Sequence, residues 1–138
     1  YLRALLGAGI EPVTELQQRG PHGRVEAHEP AERLLALRDP PTAIFAASDM
    51  QAVGVIEAVR ARGLRVPDDV AVIGWDNIVD GRYLSPSLSS VATDLDLLAD
   101  RTFEALISRI QGNRDPAAVY TVPHELIIRE SSRPPTGA

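Results

Sequence analysis

In the stretch VIGWDN, residues 72 to 77, a buried-strand pattern runs directly into an aromatic ring, a carboxylate and an amide. Val70, Ala71, Val72 and Ile73 form the unbroken apolar run of a strand covered on both faces. Trp75, Asp76 and Asn77 do not suit that interior. They are delivered to the carboxyl end of the strand, where open α/β sheets bind ligands. The Asp76 carboxylate, when ionised, only accepts hydrogen bonds, through two oxygens. The competing reading of Asp76 is an N-cap or an Asx turn where the strand meets its loop. A second polar pair, Ser48-Asp49, follows the apolar run TAIFAA at 42 to 47. Ser48 has N-cap chemistry, and Asp49 falls in the first turn of the helix that Ser48 would cap.

Other groupings of reactive residues lead nowhere. Asp96 and Asp100 share a helix face and Asp94 stands just before them, but acidic residues at a helix start are favoured by the macrodipole alone. The three histidines are scattered, with no HExxH pair. There is no Walker loop, no GxGxxG after a strand and no nucleophile elbow. Zero cysteines removes thiolate catalysis, disulfides and Cys-based zinc sites. The expectation is therefore no catalytic residue, no metal and no cofactor.

The elements that must position these residues follow from periodicity. YLRALLGAGI is the later part of an amphipathic helix, with Leu2, Leu5 and Leu6 on one side. The reading continues with a short strand over 13–17, a loop over 19–25 and a helix over 29–38 that Asp39-Pro40-Pro41 stops. After the strand at 42–47, a helix from Ser48 runs to Gly63, and LRVPDD turns the chain into the strand at 70–74. LSSVAT at 88–93 is a further strand. Asp94 caps a helix over 95–111 whose Leu95, Leu98, Leu106 and Ile110 share a face. Pro123 makes 119–128 an edge strand, and SSRPPTGA reads as a frayed tail. Alternating strands and helices with short connections indicate an α/β fold, a Rossmann-like parallel sheet flanked by helices.

At 138 residues the chain can form one domain with a real core. A net charge of −5 argues against a nucleic-acid-binding surface on this chain itself, since phosphate binding needs concentrated Lys and Arg. No run reaches the ~18 apolar residues of a membrane span, so no membrane partner is expected. A start inside a helix, with no basic or apolar leader segment, reads as a fragment of a longer, cytoplasmic protein.

The segment PTAIFAASDMQAVGVIEAVRARGLRVPDDVAVIGWDN, followed by SPSLSSVATD, a long helix and ELIIRESS, resembles the C-terminal part of the LacI/GalR family of bacterial transcription regulators. The resemblance runs from Tyr1 to about Arg133 and is most specific from Pro41 to Asn77. It implies one lobe, over residues 1–131 with a tail at 132–138, of a two-lobed type I periplasmic-binding-protein-like domain. In such a domain a small effector, often a sugar or nucleobase, binds between the lobes, and an N-terminal domain absent from this chain binds operator DNA. The helix at 95–111 would pack on the other lobe.

Residue by residue, the resemblance puts Asp76 at an effector-contacting position, with Asn77 beside it and Trp75 in the family's usual Tyr or Phe place. Ser48 stands where many members carry a ligand-touching asparagine, and equally serves as a cap only. His22 falls about where family members carry an aromatic that stacks on the effector, although its loop RGPHGRVEA matches least and the alternative is a solvent-exposed loop histidine. Thr93 aligns with a polar cleft position. Met50, Val53, Glu57, Tyr83 and Leu84 lie in regions that form the family's homodimer, the alternative being that Met50 and Val53 face the lobe's own core. Two rival functions share parts of this pattern: a periplasmic-type sugar-binding protein of a transport system, and a small Rossmann-like enzyme using Ser48, Asp49 and Asp76.

Overall fold

Four strands, β1 (Ala43–Phe45), β2 (Ala71–Trp75), β3 (Ser89–Thr93) and β4 (His124–Ile127), lie side by side in that order in the computed structural model, which describes residues 1–116 and 118–133. The first three are parallel and β4 is antiparallel to β3. Pro123 immediately precedes β4, an edge strand, as a residue without an N–H requires. The α-helices among the described residues are α1 (Leu2–Gly7), α2 (His28–Leu35), α3 (Asp49–Ala61) and α4 (Leu95–Ile110). The α/β class and the helix-flanked sheet are as the sequence indicated, except that the sheet is mixed, β4 running antiparallel to β3.

The core lies between the sheet and the α2–α3 pair. Ile44 and Val72 face it from β1 and β2, and Ala31, Leu34, Leu35, Ala52, Val55, Ile56, Ala58 and Val59 face it from the helices. Val59, Val72 and Leu88 are fully buried, and each contributes about 1.5–3 kcal/mol by leaving water. Helix α3 begins where Ser48 Oγ accepts the Gln51 N–H at 3.2 Å. It ends at Gly63, whose φ of +73° lets the N–H groups of Gly63 and Leu64 return to the carbonyls of Arg60 and Val59. Asp94 caps α4 in the same way, accepting from Leu97 N at 2.9 Å.

Two expectations are corrected. Residues 13–17 are not a strand: Thr14–Leu16 is a 3₁₀ turn, with Leu16 N and Gln17 N donating to the carbonyls of Val13 and Thr14. Among the described residues no strand lies beside this segment, so its backbone groups pair locally instead. Nor is the end of the chain frayed as far as Ser132. Ser131 is fully buried, accepting Ser89 N at 2.8 Å and donating to the Val72 carbonyl at 2.7 Å, and Ser132 bonds the Ser89 hydroxyl. Next to them Glu130 accepts the backbone N–H and hydroxyl of Ser87, which hold its carboxyl below the ordinary range. Residues 134–138 of the expected tail lie outside the described residues.

Candidate functional site

β2 carries its side chains alternately to two faces. Val72 and Gly74 turn toward α3, whereas Ala71, Ile73 and Trp75 turn to the opposite face. By register, Trp75 sits beside Val91 of β3, and Thr93 pairs with His124 of β4. Three rings therefore meet at the carboxyl end of the sheet. Phe45 meets Trp75 edge-on at 6.5 Å between centroids, and His124 stacks on the other side of Trp75 at 6.4 Å and 30°. Phe45 is half exposed and Trp75 is 37% exposed, so the row presents ring surface to solvent.

Asp76 and Asn77 follow in a turn that ordinary L residues seldom adopt, with φ of +112° and +52°. Such conformations persist where the surroundings over-determine them. The ladder continues to Asp76, whose N–H donates to the Val91 carbonyl at 3.0 Å. Asn77 N donates to Ser90 Oγ at 2.9 Å and Ile78 N to Asp49 Oδ2 at 2.8 Å. Ser90 Oγ in turn donates to Asp49 Oδ1 at 2.6 Å. Asp49 and Ser90 are fully buried, which makes Asp49 a structural acceptor beneath the turn, as expected for a carboxylate at a helix start. The Asp76 side chain is exposed, and no hydrogen bond among the described residues engages its carboxylate, which leaves its oxygens available as acceptors.

The expected site residues fall into two groups. Trp75, Asp76, Asn77 and Thr93 gather at the carboxyl ends of β2 and β3, and Ser48 follows the same end of β1. The Ser48 hydroxyl is engaged in capping α3, and the Asn77 side-chain carbonyl accepts Arg129 Nη2 at 2.6 Å. His22 lies apart. It is exposed on a largely apolar groove of about 760 Å³ along β1, with Phe45, Ala47 and Gln51, where Gln51 Nε2 donates to the Pro21 carbonyl. Of the residues placed in a dimer surface, Met50, Glu57 and Tyr83 are exposed, Val53 is half-buried, and Leu84 leans on the core.

Phe45 and His124 belong to this end of the sheet, and Arg129 reaches Asn77 from beside the start of β3; none of the three was among the site residues expected from the sequence. An aromatic at a strand end was a usable signal for Phe45. His124 and Arg129 arrive through the antiparallel pairing of β4, which no local spacing announces.

Comparison with known proteins gives a uniform result. A family model described as a periplasmic binding protein-like domain matches residues 1–132. The HTH-type transcriptional repressor PurR of Mannheimia succiniciproducens is 35% identical over 131 residues, 95% of this chain and 39% of that protein. Among solved structures, the transcriptional regulator CelR in complex with cellobiose superposes with a TM-score of 0.87 at 32% identity, covering 96% of this chain and 40% of its own. A LacI family transcriptional regulator from Arthrobacter sp. FB24, in complex with lactose, gives 0.70 at 35% identity, covering 83% and 43%. The chain thus spans about two fifths of the length of the curated relatives it matches.

Proposed function

Because the chain belongs to the periplasmic-binding-protein-like family of LacI/GalR-type transcription regulators, we propose that it is the effector-sensing and dimerising lobe of such a regulator. The effector is a sugar or a related small metabolite, held against the Trp75–Asp76 rim. The observation that carries this reading is the exposed carboxylate of Asp76, engaged by no hydrogen bond among the described residues, next to the ring row of Phe45, Trp75 and His124. A carboxylate that only accepts suits a hydroxyl pair, and flat ring faces suit the C–H face of a sugar. Cellobiose and lactose in the two neighbouring complexes favour the same class of ligand.

Helix α4 supports the two-lobed arrangement. It has no buried residue, and Leu98, Phe103, Leu106 and Ile110 stand exposed along it. In this reading α4 packs on a second lobe that supplies the other wall of the cleft, and a separate N-terminal domain reads operator DNA in the cytoplasm. The relatives are transcriptional repressors, which favours this reading over a transport-type binding protein or an enzyme.

Titrating the ¹⁵N-labelled chain with cellobiose, lactose, a set of monosaccharides and free nucleobases tests the reading by amide shifts. Binding by one lobe is expected to be weak, with a Kd in the millimolar range, and shifts should centre on Trp75, Asp76 and Asn77. Asp76→Ala should weaken it about tenfold or more, the scale of a lost hydrogen bond to a charged group. Shifts that avoid the rim for every probe, or that ignore the Asp76→Ala change, would count against it.

The reading also includes a homodimer through Met50, Val53, Glu57 and Tyr83, of which Tyr83 is 81% exposed. Light scattering across a concentration range should give twice the mass of one chain, and Tyr83→Asp with Met50→Asp should halve it. A monomer at all concentrations would sink the dimer.

A further inference from the structure

We infer that Arg129 is a positioning residue for the effector rim: with Asp49 it locks the Asp76–Asn77 turn in the positive-φ conformation that leaves Asp76 exposed. The inference rests on the reading of Asp76 as the ligand-facing group, but the locking itself is a property of the chain without ligand.

Two consecutive L residues at positive φ cost about 1–3 kcal/mol each, so the turn needs restraints from outside its own backbone. Three are present. Asp49 Oδ2 holds Ile78 N, and Asp49 Oδ1 fixes the Ser90 hydroxyl that accepts Asn77 N. Both groups are fully buried and cannot exchange these partners for water. The third restraint is Arg129, whose Nη2 donates to Asn77 Oδ1 and whose Nη1 donates to the Leu88 carbonyl. Asn77 and Leu88 stand at the two ends of the connection between β2 and β3, so one rigid guanidinium fork ties both ends together.

Arg129 is itself held. Its N–H donates to Ser89 Oγ at 2.7 Å, and the same hydroxyl donates to the Arg129 carbonyl at 3.1 Å. It stands two residues beyond the end of β4, and the first residue of β4 is His124, whose ring lies against Trp75. β4 is therefore linked to the rim twice, through the His124 ring on Trp75 and, beyond its other end, through the Arg129 guanidinium on Asn77. A displacement of β4 along its axis would be passed to both rim residues.

Trp75, the single tryptophan, is a built-in reporter next to the turn. In an Arg129→Met variant, acrylamide quenching of Trp75 should rise about twofold. The Asn77 and Ile78 amides should exchange hydrogen about tenfold faster relative to Val59 in the core, a ratio that general destabilisation does not move. Arg129→Lys should recover part of both effects. Asn77→Ala cuts the same bond and leaves the Leu88 contact intact, so it should reproduce the quenching change and add little to Arg129→Met. Unchanged quenching and unchanged relative exchange in Arg129→Met, or full additivity of the two changes, would overturn the inference. Should Arg129→Met fail to fold, Asn77→Ala decides: faster relative exchange at Ile78 supports the lock, and unchanged exchange overturns it. No ligand enters these measurements, so a failure to bind sugars leaves their outcome untouched.

Discussion

Replacing Asp49 by alanine is expected to lower the unfolding free energy by about 3–4 kcal/mol. The change removes the acceptor for two donors, Ile78 N and the Ser90 hydroxyl, at a site where Asp49 and Ser90 are fully closed to solvent. An unsatisfied buried donor costs about 1–3 kcal/mol, and two are created together. Asp49→Asn separates acceptor loss from volume loss. An amide oxygen can still accept Ile78 N while its NH₂ donates to Ser90 Oγ, so only the Ser90 proton loses its partner, and the cost should be about 1–2 kcal/mol. Urea unfolding followed at once by far-UV circular dichroism and Trp75 fluorescence measures both variants. A loss below about 1 kcal/mol for Asp49→Ala would mean that water enters the site and replaces the carboxylate.

Gly74→Ala should produce the second large loss, about 3 kcal/mol, at the upper end of the cost of overpacking a core. A Cβ on Gly74 would lie 2.1 Å from Asp49 Oδ1, 3.1 Å from Asp49 Cα and 3.2 Å from the Ala52 Cβ. None of these atoms is free to swing away. Oδ1 is tied to Ser90, and the other two belong to the first turns of α3. The helix start must move off the sheet, and with it the acceptor beneath the Asp76–Asn77 turn. Thermal unfolding should show a Tm lowered by roughly 10 °C. Combined with Asp49→Ala, the loss should be smaller than the sum of the two, because removing the Asp49 side chain relieves the severest contact. Simple additivity would show that Gly74 acts elsewhere.

The two glycyl and carboxylate positions explain why VIGWDN reads as it does. Gly74 faces α3 and admits Asp49; Trp75 faces the other way into the ring row; Asp76 ends the ladder with its side chain exposed. The order of residue types along six positions is thus the projection of two sheet faces and one strand end. That is why the strand and its rim could be read from the sequence, whereas the 3₁₀ turn at Thr14–Leu16 could not. Val13 to Gln17 has strand-like residue types, but a strand also needs a neighbour, and the neighbour is not encoded within the segment. The same reasoning covers Ser131. SSRPPTGA has the composition of a tail, and only the Val72 carbonyl and the Ser89 amide, lying across the sheet, make Ser131 part of the interior.

What the sequence by itself determined is the set of local decisions. The apolar runs define β1 to β3, Ser48 and Asp94 start α3 and α4, and Gly63 stops α3. The helix starts and the stop depend on partners three to five residues away, and the strands on apolar runs within themselves, so residue type and spacing suffice. Tertiary structure decided which side chains support the rim. Ser90 meets Asp49 across 41 positions, and Arg129 meets Asn77 across 52. These pairs exist only once β2, β3 and β4 have taken one register, and a shift of one residue would turn every side chain of a strand to the other face.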